Sequence, residues 1–402
     1  MGIYEELGVT RVINCFGTYT LIGGATLSDE VRAAMEEADR NFAWMWELEE
    51  KAGRRIAELT GAEAAFVAPG AFAALAMSAA VCMAGRDPEK MSRLPNTTGM
   101  KNEFIIQRCL RDFKYDRSMT IAGGMLVEVG DEFQGCAPEQ IEAAITDRTA
   151  GIHYMAHGTT GDFASKDCSI VPLDEVVGIA HRRGIPVIVD AAFQCHLPDG
   201  FTMFTALGAD LVAYSCKYFG GPNTAGILLG RKDLVDAVAL HSFVGQEGGP
   251  ECEMFLEVKP DRPHGSVFRG CKMDRASIVG AVASLEQHIT KDFGETFRMA
   301  HEKIRRLKDA WKGISGVETE VFDVGTVPEE PGRVSLHLIL DRTPEETEMI
   351  VKELMEGAPA IWVSSQRNHL VINITSFMGL MLFSDEDMEI VARRIRGILT
   401  RA

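Results

Sequence analysis

No two of the nine cysteines in this 402-residue chain stand in a C-x-x-C pair; they are scattered at positions 15, 82, 109, 136, 168, 195, 216, 252 and 271. That scatter argues against a zinc site and suits reduced thiols, so a cytoplasmic location is expected. No uninterrupted apolar run approaches the ~20 residues a membrane-spanning helix needs. The opening, Met1-Gly-Ile-Tyr-Glu-Glu, lacks a basic stretch followed by an apolar core, so no signal peptide is expected. Basic residues are in the minority, with 41 Lys and Arg against 58 Asp and Glu for a formal net charge of −17. A surface of that sign repels phosphate backbones, and nucleic acid is not expected as a partner. The basic residues present are interleaved with acids, as in Glu302-Lys-Ile-Arg-Arg-Leu-Lys-Asp309, which reads as a solvated helix face with i,i+4 ion pairs. Repeats, low-complexity tracts and a helix-turn-helix-like appendage are also missing, which counts against a ligand-binding regulator of transcription.

What remains is the composition of a globular enzyme, 46% hydrophobic and long enough for a large and a small domain. Seven short apolar stretches, opening at Ala64, Phe104, Met125, Gly151, Pro186, Leu211 and Ala225, alternate with helical patterns. Such alternation predicts an α/β fold with a mainly parallel seven-stranded sheet and ligands at the carboxyl ends of the strands. We expect residues 28–274 to form this large domain. Residues 275–402 are expected to form a linking helix, running from about Arg275 to Leu307, and a small α+β domain joined by segment 1–27. A hairpin is expected between Ala360–Val363 and Leu370–Ile374. A helical pattern runs from Ser28 to Gly61; its Trp44 and Trp46 read as packing or subunit contacts. Residues 86–103 read as a long loop, and a helical piece is expected from Leu110 to Ser118.

The chemistry gathers around Asp210-Leu-Val-Ala-Tyr-Ser-Cys-Lys217. A lysine leaving a buried strand is costly, and burial lowers the amine pKa and makes it a nucleophile toward aldehydes. Lys217 therefore reads as the residue forming a Schiff base with pyridoxal 5'-phosphate (PLP); a surface lysine at a strand end is the alternative. Asp190 ends the apolar strand before it, where a carboxylate can bond a protonated pyridine nitrogen. Helix capping is its alternative role. Pro69-Gly70-Ala71-Phe72 joins a strand to a helix rich in small residues. That geometry offers backbone N–H groups to a phosphate, so Gly70, Ala71 and Phe72, with Ser215, are expected to hold the phosphate. After the fourth strand, His157 or Thr159 is placed to touch the cofactor 3-hydroxyl or the substrate; a solvated loop histidine is the alternative. Gln194 faces the same crevice in this reading. Arg269 is a candidate for a substrate carboxylate or phosphate, or else a plain surface arginine. No metal site is expected.

Asp190 on its strand, Ser215-Cys216-Lys217 and the turn Gly220-Gly221-Pro222 resemble the fold-type I PLP enzymes (aspartate aminotransferase-like). Arg11-Val-Ile-Asn14, Gly220-Gly221-Pro222-x-x-x-Gly226 and Lys272-Met-Asp-Arg275 resemble the selenocysteine synthase-like group. The closer resemblance is to its D-glucosaminate-6-phosphate ammonia-lyase branch. It is carried by Leu94-Pro-Asn-Thr-Thr-Gly-Met-Lys-Asn-Glu103, Gln107-Arg108, Tyr115-Asp116 and Val189-Asp-Ala-Ala192. The resemblance implies a homodimer or higher homo-oligomer. It also implies a lyase that deprotonates Cα of a small amino acid or amino-sugar acid and eliminates the β-substituent to give a 2-keto acid and ammonia. β-Replacement, racemisation and aldol cleavage share the same opening step. Two departures from the group are read: a tRNA-binding extension before Arg11 is not expected, and Leu110 and Ser266-Val-Phe-Arg269 stand where the lyase branch has a histidine and a Gly-Arg-Pro stretch.

Overall fold

The structure, a computed structural model, describes residues 2–156, 168–195, 200–247, 265–324, 332–376 and 379–401. Thirteen strands follow one another along the described chain. They are β1 (Val12–Asn14), β2 (Ala64–Ala68), β3 (Glu103–Gln107), β4 (Met125–Val129), β5 (Thr149–Met155), β6 (Val187–Asp190), β7 (Leu211–Ser215), β8 (Gly226–Gly230), β9 (Val317–Val324), β10 (Arg333–Leu340), β11 (Ala360–Trp362), β12 (Ser364–Gln366) and β13 (His369–Asn373). They divide between two compact units, residues 27–289 and residues 1–26 with 290–402.

In the larger unit seven strands form one sheet in the order β2-β8-β7-β6-β5-β3-β4. The five strands β3 to β7 run parallel, and β8 lies antiparallel between β2 and β7. β5 to β8 are buried along their whole length, as continuous apolar runs covered on both faces should be. The helix Ala71–Ala84 packs on this sheet with almost every residue buried. Alanine makes that possible: with only a methyl group per residue the helix axis can approach the strands closely, and Gly226 completes the approach. A Cβ at Gly226 would lie 2.5 Å from the backbone nitrogen of Ala71. The edge strand β2 is covered by the helix Met45–Thr60, where a Cβ on Gly53 would stand 2.2 Å from the Ala65 carbonyl oxygen. Exposed strand edges invite pairing with other chains, and this helix closes one of them. At the opposite end of the strands from their carboxyl termini, buried Asp210 accepts the Val187 N–H at 2.7 Å and an Arg231 guanidinium N–H at 2.8 Å, and meets His181 Nε2 at 2.9 Å.

Several boundaries differ from expectation for local reasons. The pattern from Ser28 to Gly61 is two helices, Asp29–Arg40 and Met45–Thr60. Ser28 caps the first by accepting the Val31 N–H. The loop at 86–103 contains a helix, Pro88–Arg93, capped by Asp87. No helix forms from Leu110 to Ser118. Instead Asp112 accepts the Lys114 N–H and turns the chain, leaving a 3-10 turn at Arg108–Leu110 and a short helix at Arg117–Thr120. The single helix expected from Arg275 to Leu307 is broken: Arg275–Thr290 ends, and Asp292 caps a new helix, Phe293–Trp311, by accepting the Glu295 N–H. Residues 275–289, expected with the C-terminal domain, fall in the larger unit.

The smaller unit holds the antiparallel sheet β12-β13-β10-β9 and a separate parallel pair, β1 with β11. The hairpin therefore differs from the expected one. Ala360–Trp362 pairs with β1, and the partner of β13 is β12, through a turn in which Arg367 takes a left-handed φ of 56°. β9 had not been expected; its alternating Glu318, Glu320 and apolar neighbours are the half-buried strand pattern. Leu336, Leu338, Ile361, Ile372, Trp311 and Ile395 centre its core. Among the described residues no helix is long and apolar enough to cross a membrane.

Candidate active site

Lys217 leaves β7 on a 3-10 turn, Cys216–Phe219, that Gly220 ends in the left-handed region. The turn is held by the Gly221 N–H donating to the Cys216 carbonyl at 2.8 Å, and a Cβ at Gly221 would strike Ser284 Oγ at 2.4 Å. The lysine is only 9% exposed, and burial lowers its amine pKa. A lysine so placed has a larger neutral fraction than one in water, which is what a nucleophilic amine requires.

Asp190 is the last residue of β6, level with Met155 on β5 and Ala213 on β7. Beyond it the chain keeps pairing with β7: the Ala191 N–H donates to the Ala213 carbonyl and the Ser215 N–H to the Ala192 carbonyl. Asp190 and the Lys217 turn thus leave adjacent strands at the same end of the sheet. Asp190 Oδ1 accepts the Ala192 N–H at 3.0 Å. Burial pushes this carboxyl up to about 6, against the pull of that hydrogen bond, and the charges of Asp116 and Asp112 push the same way. A carboxylate under that pressure gains from a cation placed beside it.

The third component comes from the other side of β8. Ala68, Gly226 and Ser215 are in register across β2, β8 and β7. Gly70, two residues past Ala68, takes φ 87°, a conformation that favours glycine, and opens the helix Ala71–Ala84. The first intrahelical bond runs from the Ala74 N–H to the Gly70 carbonyl, so the N–H groups of Ala71, Phe72 and Ala73 have no acceptor within the helix. They stand, with the positive end of a 14-residue helix, beside Gly226, which is in register with Ser215. Amine, carboxylate and anion cradle suit a phosphorylated aldehyde with a basic ring nitrogen.

The remaining expectations spread out. Gln194 is buried in the turn after β6, its N–H donating to the Ala191 carbonyl. Arg269 lies part-buried on a turn whose Ser266 carbonyl takes its N–H, ahead of the helix Arg275–Thr290. His157 and Thr159 lie outside the described residues. Sequence reading assigned no role to Asp116, which the structure buries against Arg111, itself paired to Glu128. It also passed over Tyr218, whose ring lies under the Lys217 amine. An Asp in a polar loop and a Tyr beside a lysine carry no periodic signal; only the folded contacts single them out.

No protein-family model matches the chain. The chain is 28% identical over 376 residues to 5'-C-glycyluridine monooxygenase-decarboxylase of a Streptomyces species, covering 91% of this chain and 85% of that one. It is 29% identical over 294 residues to D-glucosaminate-6-phosphate ammonia lyase of Salmonella typhimurium, covering 71% and 70%. An L-seryl-tRNA(Sec) selenium transferase of Desulfovibrio desulfuricans is 30% identical over 244 residues, 55% of this chain and 47% of that one. Among solved structures, D-glucosaminate-6-phosphate ammonia-lyase superposes with TM-score 0.80 at 23% identity, covering 100% and 99% of the two chains. SPT with a PLP internal aldimine superposes with TM-score 0.51 at 15% identity, covering 96% and 87%. The chain is a homologue of D-glucosaminate-6-phosphate ammonia-lyase and of the selenocysteine synthase-like enzymes, built on fold type I of the PLP-dependent enzymes.

Proposed function

We propose that this protein is a PLP-dependent ammonia-lyase acting on a small amino acid or amino-sugar acid. The observation that carries the reading is the convergence at one sheet end of a buried amine, Lys217, a buried carboxylate, Asp190, and the helix start at Gly70. When bound, PLP supplies an electron sink that makes the substrate Cα–H acidic. Lys217 would hold the cofactor through its buried amine, and its Nζ would be the group that takes the substrate Cα proton. Asp190 keeps a proton on the ring nitrogen. The N–H groups of Ala71 and Phe72, at the helix start opened by Gly70, and the Ser215 hydroxyl would hold the phosphate. Gln194, Arg269, Thr159 and His157 are the groups assigned to the substrate and the cofactor 3-hydroxyl. Loss of the β-hydroxyl followed by hydrolysis gives a 2-keto acid and ammonia. The site works in a homo-oligomer in the cytoplasm, with no nucleic-acid partner. The 71% span of the lyase relative supports this outcome.

The test uses purified protein reconstituted with PLP. Borohydride is expected to fix a pyridoxyl group on Lys217, and a panel of hydroxy-amino acids and amino-sugar acids to yield ammonia and keto acid. Lys217→Ala is expected to lose the label and lower ammonia release by about 10²-fold or more. A label on another lysine would falsify the assignment. A second reading rests on the Streptomyces relative, which spans more of the chain and is named for an oxygenation. In it dioxygen is the oxidant of the deprotonated substrate: one oxygen atom would enter the product as a carboxamide, the other would leave as water, and the carboxyl group would leave as carbon dioxide. Oxygen uptake with carbon dioxide release, and no ammonia from the same panel, selects that reading.

A further inference from the structure

Tyr218 follows Lys217 on the same 3-10 turn, and its ring is turned so that Lys217 Nζ lies 4.8 Å from the ring centroid. The Tyr218 ring also meets Phe193, at 5.8 Å between centroids and tilted by 59°. Phe193 lies three residues past Asp190, in the turn that keeps pairing with β7 through the Ala192 carbonyl and the Ser215 N–H. One aromatic pair therefore spans the two strand ends that carry the amine and the carboxylate. Packed against Phe193, the Tyr218 ring is held in place, and its face carries the negative part of the aromatic quadrupole, which attracts a cationic amine.

We propose that Tyr218 is a positioning residue whose ring face receives the free, protonated amine of Lys217 and holds it beside the site. The inference rests on the PLP reading above and deepens it. In that reaction the lysine amine is released when the substrate amine takes its place. It must then accept a proton from Cα and keep its geometry while cationic. An unbranched four-carbon side chain has many rotamers to explore at that moment. The ring face supplies a fixed resting place 4.8 Å from Nζ, set by the turn that carries both residues. The ring opposes burial: burial favours the neutral amine and the aromatic face favours the charged one. The titratable group on the adjoining turn is Asp190, whose Oδ1 accepts the Ala192 N–H at 3.0 Å.

The experiment reads Lys217 in the PLP-free protein, so its outcome does not depend on the cofactor reading. Competitive acylation of lysines with a limiting anhydride across pH 7 to 11, followed by peptide mass spectrometry, gives the midpoint at which the Lys217 amine becomes reactive. Tyr218→Phe, which keeps the face, is expected to match the parent. Tyr218→Leu, which removes it, is expected to move the midpoint down by about half a pH unit. Phe193→Leu is expected to move it the same way by less, because it loosens the ring without deleting it. Reconstituted Tyr218→Leu is expected to lose kcat with little change in KM, and Tyr218→Phe to restore it. Equal midpoints in the parent, the Phe and the Leu variants overturn the proposal, as does an equal loss in Tyr218→Phe, which would assign the effect to the hydroxyl. If Tyr218→Leu does not fold, Phe193→Leu carries the same test, and an unmoved midpoint there overturns the proposal. Failure of borohydride to trap PLP on Lys217, with the acylation shift intact, would instead remove the PLP reading and leave the amine–ring contact standing.

Discussion

The two units solve the problem of a stable core in opposite ways. The smaller one is filled by mass: Leu336, Leu338, Ile361, Ile372, Ile395 and Trp311 meet in a cluster of branched and aromatic side chains. The larger one is filled around the helix Ala71–Ala84 by subtraction, with alanines and with glycines whose missing Cβ lets one backbone reach another. Large side chains bury more apolar area each. Small ones bring main-chain groups within reach of a ligand. The larger unit carries the helix N-terminus, the buried lysine and the buried aspartate; its packing is the kind that puts backbone donors, and not only side chains, at a site.

Four substitutions break or sharpen this contrast. The largest stability effect belongs in the core filled by mass. Leu338→Ala is expected to cost about 2–5 kcal/mol by opening a cavity, read from the urea midpoint of the smaller unit's unfolding. A cost near that of a surface substitution would mean that this core collapses around the gap and that the contrast is overdrawn. In the core filled by subtraction, adding one carbon is the damaging change. Gly226→Ala places a Cβ 2.5 Å from the Ala71 nitrogen, and overpacking of this kind costs roughly 1–3 kcal/mol. Its distinctive expectation is weaker retention of PLP on dialysis, measured by absorbance, because the displaced atoms are those of the cradle. Retention equal to the parent would detach the cradle from Gly226.

Asp190→Asn addresses the charge that the larger unit buries. Its native carboxyl, held up to about 6, binds a proton more tightly than the unfolded chain does, near 3.9. PLP-free parent protein should therefore be relatively most stable below about pH 4 and lose that contribution as pH rises through 6. The difference approaches roughly 3 kcal/mol at neutral pH. The asparagine variant should lack this slope, and parallel pH–stability curves for the two proteins would refute it. The smallest effect is expected at the exposed Glu36–Arg40 pair of the helix Asp29–Arg40. Arg40→Ala should leave the midpoint unchanged within measurement, since exposed i,i+4 pairs contribute little.

The same contrast marks what was legible in the sequence. The strands of the large sheet stand out because each is a short apolar run between turn residues, and Lys217, Asp190 and Gly70 stand out because they sit at the ends of such runs. Pairing was not legible where the local pattern allowed two partners. Ala360–Trp362 looks like one arm of a hairpin with β13, yet its partner is β1. Helix breaks at Asn41–Trp44 and at Lys291–Asp292 were missed because apolar periodicity continues across them, and the decisive signal was one capping side chain, Asp292, among many acids. Buried polar groups on amphipathic stretches were the least visible. Glu49 lies on a helix face that reads as solvated, yet it is 3% exposed and its carboxyl is pushed well up by burial.

The antiparallel insertion of β8 between β2 and β7 has a consequence for synthesis on the ribosome. Ala68 meets Gly226, so the strand that leads into the helix Ala71–Ala84 must wait about 160 residues for its neighbour in the sheet among the described residues. At roughly 5–20 residues per second this is on the order of ten seconds or more. During that interval a nascent chain carries a helix of almost continuous apolar surface with no completed sheet to lie on. β1 waits longer still, since Val12 pairs with Ala360. A cradle built from distant segments is one that a truncated or stalled chain cannot form. Chaperone engagement should therefore concentrate on nascent chains that have passed the alanine helix but not yet released β8.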